Sequence, residues 1–114
     1  MGHSFPRTHR LLKRSQFLKL SRIGNKRSTR FFLAVFQEGE ARNNRIGITV
    51  SKKIGKAVVR NRIKRFVREY YRNRKEIIPG NRDINIIAKK NVSALTFKEV
   101  TAELDKLFEK ITRV

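Results

Sequence analysis

Cysteine is absent from this 114-residue chain, which excludes a disulfide framework, a thiolate zinc site and a cysteine nucleophile. Acids are scarce, nine Asp and Glu against 29 Lys and Arg. A protein nuclease or phosphotransferase needs clustered carboxylates to hold Mg²⁺, or a nucleophile beside a base. Glu38 and Glu40 fall in a polar stretch, while Glu99, Glu103, Asp105 and Glu109 sit among lysines and read as solvated helix charges. His3 and His9 lack the helical i, i+4 spacing of a zinc motif, and Gly55-Lys56 lacks both the earlier glycine and the following Ser or Thr of a P-loop. No catalytic residue and no protein-bound metal or cofactor is expected. The longest apolar runs, such as Phe31–Phe36, fall far short of a membrane span. Met1–Arg7 has no apolar core resembling a signal peptide, and Pro6 stands where a myristoylation motif needs Ser or Thr. A cytoplasmic protein with no membrane partner is expected.

Leu, Ile, Val and Phe supply 35 of the 114 residues, enough to fold despite the charge. The length fits one domain over 1–114, and the net charge of +20, with a sequence pI near 11.6, calls for a polyanionic partner. The charge is uneven. Residues 1–95 hold 25 basic and 5 acidic residues, whereas 96–114 hold four of each.

Residues 1–14 read as a flexible basic arm, in which Arg7, Arg10, Lys13 and Arg14 are candidate phosphate contacts. Ser15 is placed to cap a short helix over 16–22 that Gly24-Asn25 ends. Arg30–Phe36 reads as a strand covered on both faces, 37–44 as a hairpin connection, and Arg45–Ser51 as an alternating strand with Ile46, Ile48 and Val50 on one face. Val59, Ile63, Phe66, Val67, Tyr70 and Tyr71 form the apolar stripe of a helix over 57–77, which Pro79-Gly80 stops. Asp83–Ala88 is a further strand. Thr96-Phe97-Lys98-Glu99 is a capping box that opens a last helix, with Phe97, Val100, Leu104, Leu107, Phe108 and Ile111 on its apolar face. The class is α+β: a small mixed sheet of about four strands with three helices, in the order α-β-β-β-α-β-α.

The densest charge is the run from Lys52 to Glu69. On the 57–77 helix, Asn61, Lys64, Arg65, Arg68 and Arg72 share the face opposite the apolar stripe, flanked by Arg60 on one side and Arg62 on the other. Arginine forks bind phosphate bidentately and stack on bases. Like charges at this spacing destabilise an isolated helix by roughly 0.2–0.5 kcal/mol per pair, and only Glu69 and Glu76 interrupt the run. Phosphates would neutralise it. A structural RNA binder of the ribosome and, less well, a DNA-binding module share these features.

The run Val50-Ser51-Lys52-Lys53-Ile54-Gly55-Lys56-Ala57-Val58-Val59-Arg60-Asn61-Arg62-Ile63-Lys64-Arg65 closely resembles the signature of the bacterial ribonuclease P protein component. Arg10-Leu11-Leu12-Lys13, Phe17, Phe31-Phe32-Leu33 and Ile86-Ile87-Ala88-Lys89-Lys90 extend the resemblance over 7–111. It implies a protein subunit that assists removal of the 5′ leader from precursor tRNA, the hydrolysis being carried by a catalytic RNA subunit with its own Mg²⁺. The implied partners are that RNA and precursor tRNA, with no DNA expected. It implies a left-handed strand-helix-strand crossover. It assigns RNA-subunit contacts to Lys52, Lys53, Lys56, Arg60, Asn61, Arg62, Lys64, Arg65 and Arg68. A separate cleft between the first helix and the sheet would hold the single-stranded leader, with Phe17, Ser51, Ala88 and Lys90 as matching candidates. Ser21 and Ala34 stand where relatives often carry aromatics. Phe32 and Phe36 share a strand face with Ala34, so they either compensate in the cleft or belong to the core.

Overall fold

The structure is a computed structural model that describes residues 7–76 and 78–112. Its elements are α1 (Arg14–Ile23), β1 (Asn25–Ser28), β2 (Phe32–Glu38), β3 (Arg45–Thr49), α2 (Ala57–Arg74), β4 (Arg82–Ala88) and α3 (Phe97–Thr112), with 3-10 turns at Arg7–His9, Lys52–Ile54 and Val92–Ala94. They follow the expected α-β-β-β-α-β-α order. One mixed sheet runs β1-β2-β4-β3, antiparallel except for the β3–β4 pair, so α2 is the crossover between two parallel neighbours.

Alternation along the strands sorts the side chains between two layers. Phe32, Ala34 and Phe36 of β2, Ile84, Ile86 and Ala88 of β4, and Ile46 of β3 with Val50 just beyond it face α2 and α3. There they meet Ile63, Val67, Tyr70 and Tyr71 of α2 and Val100, Leu104, Leu107, Phe108 and Ile111 of α3. The opposite sheet face carries a smaller cluster, Leu11, Leu20 and Val35 with Phe17, Leu33 and Ile87, beneath α1. The Thr96 capping box is present, the Glu99 amide donating to Thr96 Oγ1 at 3.2 Å and the Thr96 amide to Glu99 Oε1 at 3.0 Å. The Thr96 amide, and with it the Thr96 hydroxyl donating to Glu99 Oε1 at 3.1 Å, hold the Glu99 carboxyl below its ordinary pKa.

Several local expectations need correction. Residues 37–44 do not form a hairpin, because β4 lies between β2 and β3. Instead Asn44, almost fully buried, ties that connection to the α2–β4 turn, donating to the Ile78 and Pro79 carbonyls and accepting from the Arg82 amide at 2.8 Å. Ser15 does not cap α1, which starts one residue earlier. Gln16 Oε1 accepts from the Leu12 and Lys13 amides at 2.9 and 3.0 Å and closes that end. The α2 helix ends at Arg74 rather than 77, and residue 77 lies outside the described residues. The arm expected over 1–14 is docked in its second half. Leu11 is buried and its amide donates to the Ile46 carbonyl at 3.0 Å, extending the sheet beyond β3 as a parallel bridge from Arg10. His9 Nδ1 lies 2.9 Å from the Tyr71 hydroxyl of α2. Residues 1–6, including His3, lie outside the described residues.

Candidate nucleic-acid interface

The basic helix begins where β3 runs out. Lys52 and Lys53 lie exposed on the short 3-10 turn, Gly55 allows the chain to pass close to Val59, and Lys56 stands at the N-cap. From there Ile63, Val67, Tyr70 and Tyr71 anchor one side of α2 in the core, which leaves Asn61, Arg65 and Arg68 exposed on the other with Lys64 at its edge. Arg72 lies near this row but is held in an ion pair with Glu69. Arg74 turns away onto Tyr70, 4.3 Å from the ring centroid, and pairs with Asp105 at 3.4 Å. Arg65 rests over the Phe66 ring. Burial, with the Asp105 hydrogen bond, pushes the Tyr70 hydroxyl well above its ordinary pKa, so it remains a neutral donor to that carboxylate.

Arg60 and Arg62 differ from that row. Arg60 Nε donates to the Gly55 carbonyl at 3.2 Å, and Arg62 Nη2 donates to the Ser93 carbonyl at 2.6 Å. Both are half-buried rather than open to solvent.

The predicted leader residues separate into two groups. Phe32 and Phe36, expected either in the cleft or in the core, are core residues: 0% and 1% exposed on the α2–α3 side of the sheet, where no unpaired base can reach them. Ala88 points into the same core. Their alternation partners, Leu33, Val35 and Ile87, are the ones that face α1. Phe17, Ser51 and Lys90 stay accessible. Phe17 lines a groove of about 210 Å³ with Arg10, Leu11, Leu12, Ile46, Gly47, Ile48, Lys64 and Arg68. The edge of the α2 row therefore forms one wall of the Phe17 groove, and the two surfaces meet.

Two features of the α1 side escaped the sequence reading. Gly47 gives the Phe17 ring its seat, because a Cβ there would fall 2.4 Å from Phe17 Cε1. Polar residues also line the sheet beneath: Thr49 Oγ1 donates to Asn85 Oδ1 at 3.0 Å, and Arg45 grips Asp83 through Nε and Nη2, both at 2.7 Å. The small or polar residues alternating with Ile46, Ile48 and Val50 were the available signal. Among the described residues no three His, Asp or Glu side chains gather as a metal site, and no helix is long and apolar enough to cross a membrane.

Residues 5–112 match the ribonuclease P protein family. The chain is 59% identical over 112 residues to the ribonuclease P protein component of Desulforapulum autotrophicum, covering 98% of this chain and 96% of that one. It is 42% identical over 110 residues to that of Citrifermentans bemidjiense, covering 96% and 94%. Among solved structures, the RNase P protein of Thermotoga maritima in complex with 1-(4-fluorophenyl)-2-thiourea superposes with a TM-score of 0.83 at 35% identity, covering 88% of this chain and 97% of that one. The RNase P protein of Staphylococcus aureus gives 0.84 at 30%, covering 90% and 94%. With this fold, this basic helix and this similarity along nearly its whole length, the chain belongs to the bacterial ribonuclease P protein component family, the protein subunit of a tRNA-processing ribonucleoprotein nuclease.

Proposed function

We propose that this chain binds the catalytic RNA of ribonuclease P through the exposed row of α2 and the single-stranded 5′ leader of precursor tRNA through the adjoining Phe17 groove. The observation that carries the reading is the shared wall: Lys64 and Arg68 belong both to the basic row and to the groove lined by Phe17. Lys52, Lys53, Lys56, Asn61 and Arg65 supply exposed donors for the RNA subunit; Arg60 and Arg62, half-buried beside them, are already tied to the Gly55 and Ser93 carbonyls. In the groove, an aromatic face can stack on an unpaired base while cations follow the backbone, a mode that tolerates varied sequences. Ser51 and Lys90, exposed just beyond the ends of β3 and β4, add a hydroxyl and a cation at that end of the sheet.

The protein's contribution is electrostatic and positional. Cations on one rigid helix lower the repulsion between leader phosphates and RNA phosphates, so less Mg²⁺ is needed to bring them together. Hydrolysis belongs to the RNA and its Mg²⁺. Reconstitution with the cognate catalytic RNA tests this. The protein should raise precursor-tRNA cleavage most at low Mg²⁺ and should bind precursor more tightly than mature tRNA. No gain at low Mg²⁺, or equal binding of both tRNAs, would refute it. Equal competition by duplex DNA would point to general polyanion binding instead.

A further inference from the structure

β3 and β4 are parallel, so the connections that follow them leave the sheet at the same end. One carries Lys52, Lys53 and Lys56 into α2, and the other carries Lys89 and Lys90 toward α3. The two tied arginines of α2 reach one connection each: Arg60 holds the first at the Gly55 carbonyl, and Arg62 holds the second at the Ser93 carbonyl.

The second connection is held at its start by the Lys89 amide on the Phe31 carbonyl and Lys89 Nζ on the Thr29 carbonyl, and beyond Lys90 by this tie. Asn91 adopts a left-handed conformation (φ 73°), and Val92 is buried beneath the turn. The Asn91 and Val92 carbonyls accept from the Ala94 and Leu95 amides within the turn. Ser93 is left with its carbonyl directed at Arg62.

Arg62 itself is badly placed to clamp phosphate. Side-on bidentate binding of an oxyanion uses Nε together with one terminal nitrogen of the guanidinium. In Arg62, Nε is enclosed with no hydrogen-bond partner, and Nη2 is engaged by Ser93 at 2.6 Å. Enclosing a donor without a partner is unfavourable. A helix that needed only surface charge could have left this side chain in solvent, as it does Arg65 and Arg68.

We propose that Arg62 is a positioning residue, which fixes the 89–95 connection against α2 and so sets where Lys90 stands relative to the exposed cationic row. This rests on the reading of α2 and the leader path given above. Within the Arg-Asn-Arg run the roles then differ, with Asn61 facing RNA and Arg62 acting through Lys90.

The test uses the reconstituted ribonucleoprotein with Arg62→Ala, Arg62→Lys, Arg65→Ala, Lys90→Ala and the Arg62→Ala/Lys90→Ala double variant, each confirmed folded by circular dichroism. RNA-subunit affinity is measured across a salt series, and precursor against mature tRNA affinity in the holoenzyme. Arg65→Ala should flatten the log K against log[salt] slope by about 0.7–0.9. Arg62→Ala should leave that slope within about 0.3 of the parent yet reduce precursor discrimination about three- to tenfold, with no further loss when added to Lys90→Ala. Arg62→Lys keeps the charge and one donor for the Ser93 carbonyl, so it should discriminate better than Arg62→Ala. The proposal is overturned if Arg62→Ala flattens the slope as Arg65→Ala does, if its effect adds fully to that of Lys90→Ala, or if Arg62→Lys discriminates no better than Arg62→Ala. An unchanged slope in Arg65→Ala would instead remove the underlying reading of α2.

Discussion

The ring of Phe17 fills the space that any side chain at Gly47 would need, with Cε1 and Cζ 2.4 and 2.6 Å from an ideal Cβ at that position. The glycine is required for clearance, not for backbone freedom. In Gly47→Ala the ring must move off β3, and Leu11 Cδ1, 3.1 Å away, must yield with it. Overpacking of this kind costs roughly 1–3 kcal/mol. Urea denaturation should show that loss, and tRNA binding should show weaker discrimination for precursor. Most of the stability loss should vanish when Gly47→Ala is made in Phe17→Ala. If the two substitutions simply add, the ring and the glycine are not coupled as the geometry indicates.

Phe17 and Phe36 should separate function from folding. Phe36 is 1% exposed in the main core, whereas Phe17 is half-buried at the groove. Phe36→Ala is expected to cost about 3–5 kcal/mol, with discrimination unchanged in whatever fraction remains folded. Phe17→Ala should cost less stability and lose discrimination. The reverse pattern would mean that the leader lies on the other side of the sheet.

The distinction between those two phenylalanines shows where the sequence is legible. Alternation puts Phe32, Ala34 and Phe36 on one face of β2, but it is silent on which helix covers that face. That depends on the non-local insertion of β4 between β2 and β3. The α2 helix was readable because its stripe and basic row repeat at one period over more than three turns. β1 was not, because Asn25-Lys26-Arg27-Ser28 has no apolar alternation and is a strand only through its ladder with β2. Gly47 and Arg62 were hidden for a further reason. One acts by lacking a side chain, and the other looks in sequence like every other arginine of the run, differing only in facing Ser93.

The Arg45–Asp83 pair is a second point of sensitivity on the α1 side. It has two bonds of 2.7 Å, with Asp83 buried and Arg45 about a quarter exposed. The Asp83 contact holds the Arg45 guanidinium above its ordinary pKa; a guanidinium stays protonated even without such a contact, so the cation persists when its partner is removed. Asp83→Ala should therefore destabilise by roughly 2–4 kcal/mol, less than for a fully buried pair because water reaches Arg45. Arg45→Met/Asp83→Leu should recover part of that loss in thermal melts, since both charges are gone. A double variant no more stable than Asp83→Ala would show that the pair matters for more than charge compensation.

His9 makes the docking of the N-terminal segment depend on pH. Burial, then the nearby Lys75 charge, lowers its pKa below the ordinary 6.5. The neutral ring can accept at Nδ1 from the Tyr71 hydroxyl, itself pushed up to about 12 by burial and thus a donor throughout. The unfolded chain takes up the imidazole proton at a higher pH than the folded one. The stabilisation is therefore complete above about pH 6.5 and declines as pH falls through the lower folded value. Between about pH 7.5 and about pH 5.5, above the range of ordinary carboxylates, the melting temperature of the parent should fall more than that of His9→Gln. Hydrogen exchange at the Leu11 amide, bonded to the Ile46 carbonyl, should accelerate over the same interval in the parent. Matching pH profiles for parent and variant would show that the segment is held by its other contacts, Leu11 and the Asn43 bond to the Thr8 carbonyl among them, and that the His9–Tyr71 contact does not respond to protonation.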